Sequence, residues 1–351
     1  MAKIAKTEGS IYFLRDVDYL TGEVGRYVKI GLVRKDKSTE QRIREHQTGN
    51  PRGIKDVHTM TGVPFVEKLE TQLHYRFIEK WIAGEWMDLN DRELKEVIKE
   101  GERLRDEQKI YINELMNAEN LAKEVSNGRS IPALDELLKI KDRYISLHER
   151  SEIVSGELKL IRSQIVSMLG NAGSIPGVIS VSLTAAGSSF DAKRFETEHP
   201  DFFAQYRVVK PGTVGGSFAV TGKQMFKKIA PQLDEKIKAL PKEHFAGNDL
   251  EKEVPLSDHV KKTHLNHLEL LKEQKVHEWE MDLIECQLKM AIGDHDEIED
   301  VCKWKRVKRD DKEEFDEARF KSELPELYES FLVPKPGVYK VAISNTRPYP
   351  I

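Results

Sequence analysis

The chain has 351 residues, 33% of them charged and 39% hydrophobic, with a formal net charge of −4. That length suits two or three modest domains rather than one large core, and the charge excludes a chain that is basic throughout. No apolar run approaches the roughly 18 residues of a membrane-crossing helix, so no membrane partner is expected. The opening MAKIAKTEGS lacks the apolar core of a signal peptide, and Cys286 and Cys302 alone demand no disulfide, which makes a reducing cytoplasm the expected location.

In chain order, Ile11–Leu14 and Tyr27–Leu32 have strand composition, joined by a turn-rich segment with Asp16, Asp18, Thr21-Gly22 and Gly25. Ser38-Thr39-Glu40-Gln41 carries a capping-box pattern, predicting a helix to about Gln47 that Thr48-Gly49-Asn50-Pro51 stops. Ile54–Met60 reads as a third strand. Pro64 opens a second helix to about Trp81, with Val66, Leu69, Leu73 and Phe77 on one stripe. Glu85–Leu89 reads as a short edge strand, and Asp91 caps a charged helix through about Leu115. From Arg26 to Lys55 there are nine Lys or Arg residues against three acids, a local positive field that the whole-chain average hides.

Ser126-Asn127-Gly128 breaks the helical pattern, and an internal repeat follows. FDAKRFETEHPDFFAQYRVVKPG from Phe190 matches FDEARFKSELPELYESFLVPKPG from Phe315 at an offset of 125 residues. Upstream, Glu157, Leu160, Ile161, Gln164 and Gly170 match Glu280, Leu283, Ile284, Gln287 and Gly293 at an offset of 123. Each unit reads as a long helix ended by Gly, then strands, then Phe-Asp opening a short helix. The expected division is 1–115, a linker 116–132, units at 133–221 and 259–343 around a connector 222–258, and a tail 344–351.

Ser10-Ile11-Tyr12 followed by Val28-Lys29-Ile30-Gly31 resembles the strand pair that gives the GIY-YIG nuclease superfamily its name. Arg42 in RIREH, Glu70 and His74 in LETQLHYRF, and the following GEWMDL fall in the family's order, most like a branch common in bacteriophage genomes. The resemblance covers about residues 9–90. It implies an α+β fold with a small mixed sheet flanked by helices, and a DNA endonuclease dependent on Mg²⁺ or Mn²⁺. It also implies that Tyr12 activates water, Arg42 stabilises the phosphate and Glu70 holds the metal. The residue chemistry suits these roles. Arg42 offers a planar fork to phosphate oxygens. A lone carboxylate suits a Mg²⁺ that keeps several waters. Glu70 and His74, four apart, share one helix face.

Duller readings stand beside these. Tyr12 fits sheet packing, Arg42 a solvated helix charge, Glu70 a surface pair with Lys68 or Arg76, and His74 packing as readily as a site. His46, four residues after Arg42, is a weaker candidate, and His58 reads as structural. Ser10 stands where the family has Gly, and Lys29 where it has the second Tyr. A Lys there is expected to lower the Tyr12 pKa or to hold a phosphate, leaving base duty to Tyr12.

Arg34, Lys35 and Arg44 are expected to meet DNA. In the second repeat, Lys303, Lys305 and Arg306 around Trp304 read either as a backbone-tracking patch with a stacking indole or as a charge-protected edge strand. The units faintly resemble the region downstream of the core in lambda-exonuclease-like viral recombination nucleases, which implies an accessory role. A metal site from His264, His267, Cys286 and Cys302 matches no zinc spacing. The long helices are expected to pack against each other or against a second copy, making DNA and a homo-oligomer the expected partners. The rival to the endonuclease is a non-catalytic nucleic-acid-binding or assembly protein that retains a nuclease-like domain.

Overall fold

The computed structural model describes residues 7–48, 52–346 and 349, so the expected stop at Gly49-Asn50-Pro51 lies outside the described residues. The fold is α+β, with an N-terminal antiparallel sheet and eleven α-helices among the described residues. β1 (Gly9–Val17) and β2 (Val24–Arg34) pair antiparallel, aligning Tyr12 with Gly31 and Phe13 with Ile30. α1 (Thr39–Gln47) begins at the capping box: the Ser38 hydroxyl accepts from the Gln41 N–H, and the Gln41 side chain accepts from the Ser38 N–H. β3 (Gly53–Val63) pairs with the other edge of β1.

α2 (Val66–Arg76) stops short of the expected Trp81. A 3-10 turn, Ile78–Lys80, follows it, and Trp81 opens β4 (Trp81–Ala83) with its indole N–H donating to the Gly84 carbonyl at 2.8 Å. β5 (Trp86–Asp88) is interior rather than an edge strand, because the sheet order is β3-β1-β2-β5-β4 and β4 takes the edge. α3 (Asp91–Leu121) is capped by Asn90 rather than Asp91, since the Asn90 side chain accepts from the N–H groups of Arg92 and Glu93, and it runs past Leu115.

Strand alternation gives the sheet two different faces. Ile11, Phe13, Val28 and Ile30 pack against Leu69 and Leu73 of α2 and Val97 and Leu104 of α3. Tyr12, Leu14 and Val33 form a smaller cluster on the other face with Ile43 of α1 and Ile54. Each such apolar side chain contributes about 1.5–3 kcal/mol on burial. A one-residue slip of β1 would drive Tyr12 into the aliphatic face, so the register is pinned.

Beyond α3 come β6 (Ser130–Ile131), α4 (Asp135–Leu169), β7 (Ala172–Ile175), β8 (Ile179–Leu183), β9 (Gly187–Phe190), α5 (Ala192–Glu198), α6 (Pro200–Gln205) and β10 (Arg207–Lys210). β11 (Val214–Gly215), β12 (Ala219–Val220), α7 (Phe226–Ile229), α8 (Pro231–Lys238) and β13 (Asp249–Glu253) lead to α9 (Asp258–Ile292). Then follow β14 (Glu297–Ile298), β15 (Cys302–Lys303), β16 (Val307–Lys308), β17 (Lys312–Phe315), α10 (Glu317–Glu323), α11 (Pro325–Ser330), β18 (Leu332–Lys335) and β19 (Tyr339–Ile343).

The segments with matching residues form matching elements. α4 and α9 are each 35 residues long and end at Gly170 (φ 59°, ψ −125°) and Gly293 (φ 56°, ψ −125°), a backbone that glycine adopts freely. Asp191 and Asp316 cap α5 and α10 by accepting from Arg194 N and Arg319 N, each at 3.0 Å. Strands are exchanged between the segments: β10 pairs with β17 and β18 with β9. Parallel partners also correspond, β13 beside β7 and β6 beside β14. Phe195 and Phe320 meet at 4.5 Å in one shared aromatic cluster. Neither segment closes this core alone, and α4 lies along α9 within one chain. α9 also docks on the N-terminal domain, where Trp279 packs 5.3 Å from Phe65 and 5.2 Å from Tyr111.

Candidate active site

The edge of β2 brings the site together. Along β2, β5 pairs with Tyr27–Lys29, and at Ile30 the ladder gives way to the β4–β5 turn and α2. The Ile30 N–H donates to the Glu85 carbonyl at 3.0 Å, and the Ile30 carbonyl lies 3.0 Å from His74 Nε2. One residue thus ties both the turn between β4 and β5 and α2 to the strand carrying Lys29 and Gly31.

Tyr12 faces α1. Its ring lies over Gly31, where a Cβ would fall 2.3 Å from the phenolic oxygen, so this close approach needs glycine. Tyr12 Oη is 2.9 Å from His46 Nε2, the hydroxyl donating in the tautomer that carries its proton on Nδ1. The Arg42 guanidinium adjoins the same hydroxyl and holds Glu45 at 2.6 Å. Burial raises the Tyr12 hydroxyl above its ordinary value, Glu85 adds to this, and Arg42 offsets only part. The expected lowering of the Tyr12 pKa by cations is therefore corrected: the ring is 1% exposed, and desolvation wins. Burial, then Lys29 and Arg42, keep the His46 imidazole below its ordinary value, so it is neutral and able to accept a proton.

Lys29 lies on the Tyr12 face, 8% exposed, and its ammonium pairs with Glu85. Burial pushes the Glu85 carboxyl up, but Lys29 outweighs it and the group ends below its usual range. Glu70 differs. Burial and the neighbouring Glu85 push its carboxyl up to about 8, against the pull of Lys29. His74, buried and next to Lys272, is lowered to about 4; with Nε2–H donating to Ile30, its Nδ1 is an acceptor.

Glu70, His74, Trp81 and Glu85 line a cleft of about 240 Å³. Among the described residues no three His, Cys, Asp or Glu side chains converge as a cage. A hard carboxylate oxygen that burial leaves short of countercharge, beside a second carboxylate, fits a Mg²⁺ or Mn²⁺ that retains most of its waters.

Tyr12, Lys29, Arg42, Glu70 and His74 thus occupy one neighbourhood. Sequence reading missed Glu85 as a charged member, although GEWMDL contained it, and ranked His46 low although it touches Tyr12. Arg34, at the end of β2, and Lys35 are exposed on this domain, paired with Glu67 at 2.9 Å and Glu8 at 2.7 Å, and Arg44 is exposed on α1.

The basic patch expected around Trp304 needs correction. Lys303 and Lys305 are exposed, but Trp304 is 3% and Arg306 1% exposed. Arg306 donates to the carbonyls of Leu121 and Gly293 at 2.9 and 2.7 Å and stacks on Trp304, tying α3 to the end of α9. Neither the indole nor the guanidinium is available to a nucleic acid. His264 is taken up by Tyr349 Oη (2.7 Å) and the Ser344 carbonyl (2.8 Å), and both cysteines are buried and unbridged. No helix among the described residues is long and apolar enough to cross a membrane.

One antiparallel sheet thus carries a buried Tyr, an adjoining Arg–His pair and, at its flank, a cleft carboxylate. Residues 9–102 match the family of the T5orf172 domain, a phage-associated domain related to homing-endonuclease and GIY-YIG-like folds. No curated protein and no solved structure matches the chain.

Proposed function

We propose that this chain is a divalent-metal-dependent DNA endonuclease of the GIY-YIG type. The observation that carries the reading is the contact of Tyr12 with His46 and Arg42 on one side of the β2 edge, with Glu70 in the cleft on the other. A phenol raised by burial is no ready phenolate, so the base is a relay. Tyr12 takes the proton of the attacking water as its own proton passes to His46 Nε2. Arg42 faces the charge that gathers on the phosphate oxygens. Glu70 would hold the cation, whose contribution is Lewis-acid stabilisation of that charge. Lys29 keeps Glu85 ionised and in place beside Glu70. We take the two interlocked C-terminal segments to position DNA and to brace the N-terminal domain through α9.

The test is purified full-length protein with supercoiled plasmid and Mg²⁺, then EDTA, alongside Glu70→Ala and Arg42→Ala. Chelator-sensitive nicking lost in both variants supports the enzyme. The Lys29–Glu85 pairing and the raised Tyr12 hydroxyl favour a second reading, a domain kept for binding. Gel shifts without cleavage, across DNA forms and metals, would establish that instead.

A further inference from the structure

Positive charge also gathers outside residues 9–102, on the segment between the two matching units. From Lys223 to Lys242 six lysines stand against two acids, in a chain whose net charge is −4. α7 and α8 sort this segment into two faces. Phe226, Ile229, Leu233 and Ile237 are half-buried, and Phe226 and Leu233 close over Gly156 of α4, where a Cβ would fall 2.7 Å from each. Lys223, Lys227, Lys228, Lys236 and Lys242 are exposed, with no carboxylate in salt-bridge reach among the described residues. Lys238 and Asp234 neutralise each other at 2.6 Å, and Glu235 is the one exposed acid between Lys223 and Lys242. α4 fixes the segment at both ends. His148 meets the Gln224 carbonyl at 3.1 Å, and Arg162 holds both Glu243 oxygens at 2.8 Å. The first anchor adjoins the helix that walls the cleft: Arg150, two residues after His148, pairs with Glu273 of α9 at 3.0 Å, and Lys272, next to Glu273, lines the Glu70 cleft.

We propose that the exposed face of α7 and α8 is a DNA-backbone surface, which grips duplex flanking the strand bound at Glu70. Ammonium groups on flexible stems are point charges that hold phosphates without reading bases. Solvent-exposed and unpaired, these lysines can displace the counterions condensed on a duplex. Because α4 braces the helices, little ordering cost accompanies the contact. Between Lys223 and Lys242 only Met225 among the large apolar side chains is exposed, too little apolar surface for a helix that lies in a membrane interface. The position beside the cut strand rests on the endonuclease reading; the DNA contact does not. The competing role for these lysines is a solvated face that touches nothing, and it predicts no change in DNA binding when they are neutralised.

The experiment uses full-length protein in which Lys227→Gln, Lys228→Gln and Lys236→Gln are combined, and a second protein with Arg at the same three positions. Should the triple Gln variant fail to fold, Lys227→Gln and Lys236→Gln are measured singly. Duplex binding is followed by fluorescence anisotropy in Ca²⁺ from about 50 to about 200 mM salt, and plasmid nicking in Mg²⁺. The expected result is a salt slope shallower by about 2–3 in the triple Gln variant, or about 0.9 in each single one. KM should rise several-fold with kcat unchanged, the Arg protein should match wild type, and the melting temperature should not move. An unchanged salt slope in the Gln variants overturns the proposal, and so does a wild type that binds no duplex. A wild type that binds but never cuts defeats the endonuclease reading, and the slope then decides the α7–α8 surface alone.

Discussion

Gly31→Ala tests the geometry of the Tyr12 site. The new Cβ would lie 2.3 Å from Tyr12 Oη, 2.5 Å from Cζ and 2.7 Å from Cε2. Carbon contacts settle at about 3.5–4.0 Å, so the ring must retreat by about 1 Å toward α1. It has little room there, being 1% exposed and closed over by Ile43 and His46. Overpacking of this kind costs about 1–3 kcal/mol. A shift of about 1 Å in a reacting group costs on the order of 10²-fold in rate, and here it also disturbs the 2.9 Å contact with His46. Urea unfolding and single-turnover cleavage per folded molecule measure the two effects. The stability loss should vanish in a Tyr12→Ala background, where no ring remains to be pushed, while activity stays low. A Gly31→Ala protein as stable and active as wild type refutes the reasoning. So does a stability loss that persists without the ring.

A carboxyl raised to about 8 must lose its proton to bind a cation, so Mn²⁺ affinity at Glu70 should rise on the order of 10²-fold from pH 6 to pH 8; a flat profile would mean an ordinary carboxylate. Because the folded pKa lies above the unfolded one, the metal-free native state holds the extra proton between about 4.5 and 8 and loses stability as pH rises through that window. Glu70→Gln should therefore raise the melting temperature more at pH 8 than at pH 5. Trp279→Ala empties the pocket between Phe65 and Tyr111 and should cost about 3–5 kcal/mol in urea unfolding. Arg306→Met strands the carbonyls of Leu121 and Gly293; it should lower stability by about 1–3 kcal/mol or more and leave DNA affinity unchanged.

What could be read from the sequence was what is decided locally. The Ser38 capping box needs only four residues, and it starts α1 where expected, which places Arg42 and His46 on a helix beside β1. The strand pair was legible from composition, and the glycine of VKIG proved to be the position that Tyr12 covers. Long-range pairing was not legible. Whether Trp86–Asp88 lies inside the sheet depends on β4 returning to its edge, which Trp81 alone does not announce. Arg306 looked like a surface charge because its carbonyl partners are distant in the chain: Leu121 stands 185 residues away. The low Tyr12 pKa failed for a similar reason: counting nearby cations ignores burial, and the Glu85 charge arrives from a turn 73 residues later.

The central claim is that Glu70 holds the cation on which strand cleavage depends. Mn²⁺ titration of full-length wild type and Glu70→Ala, with free Mn²⁺ followed by electron paramagnetic resonance and plasmid nicking scored in the same samples, addresses it directly. The account predicts one Mn²⁺ site in wild type, absent in Glu70→Ala, and cleavage that rises with its occupancy. Equal Mn²⁺ uptake by both proteins, or cleavage that continues with the cation chelated, would contradict it.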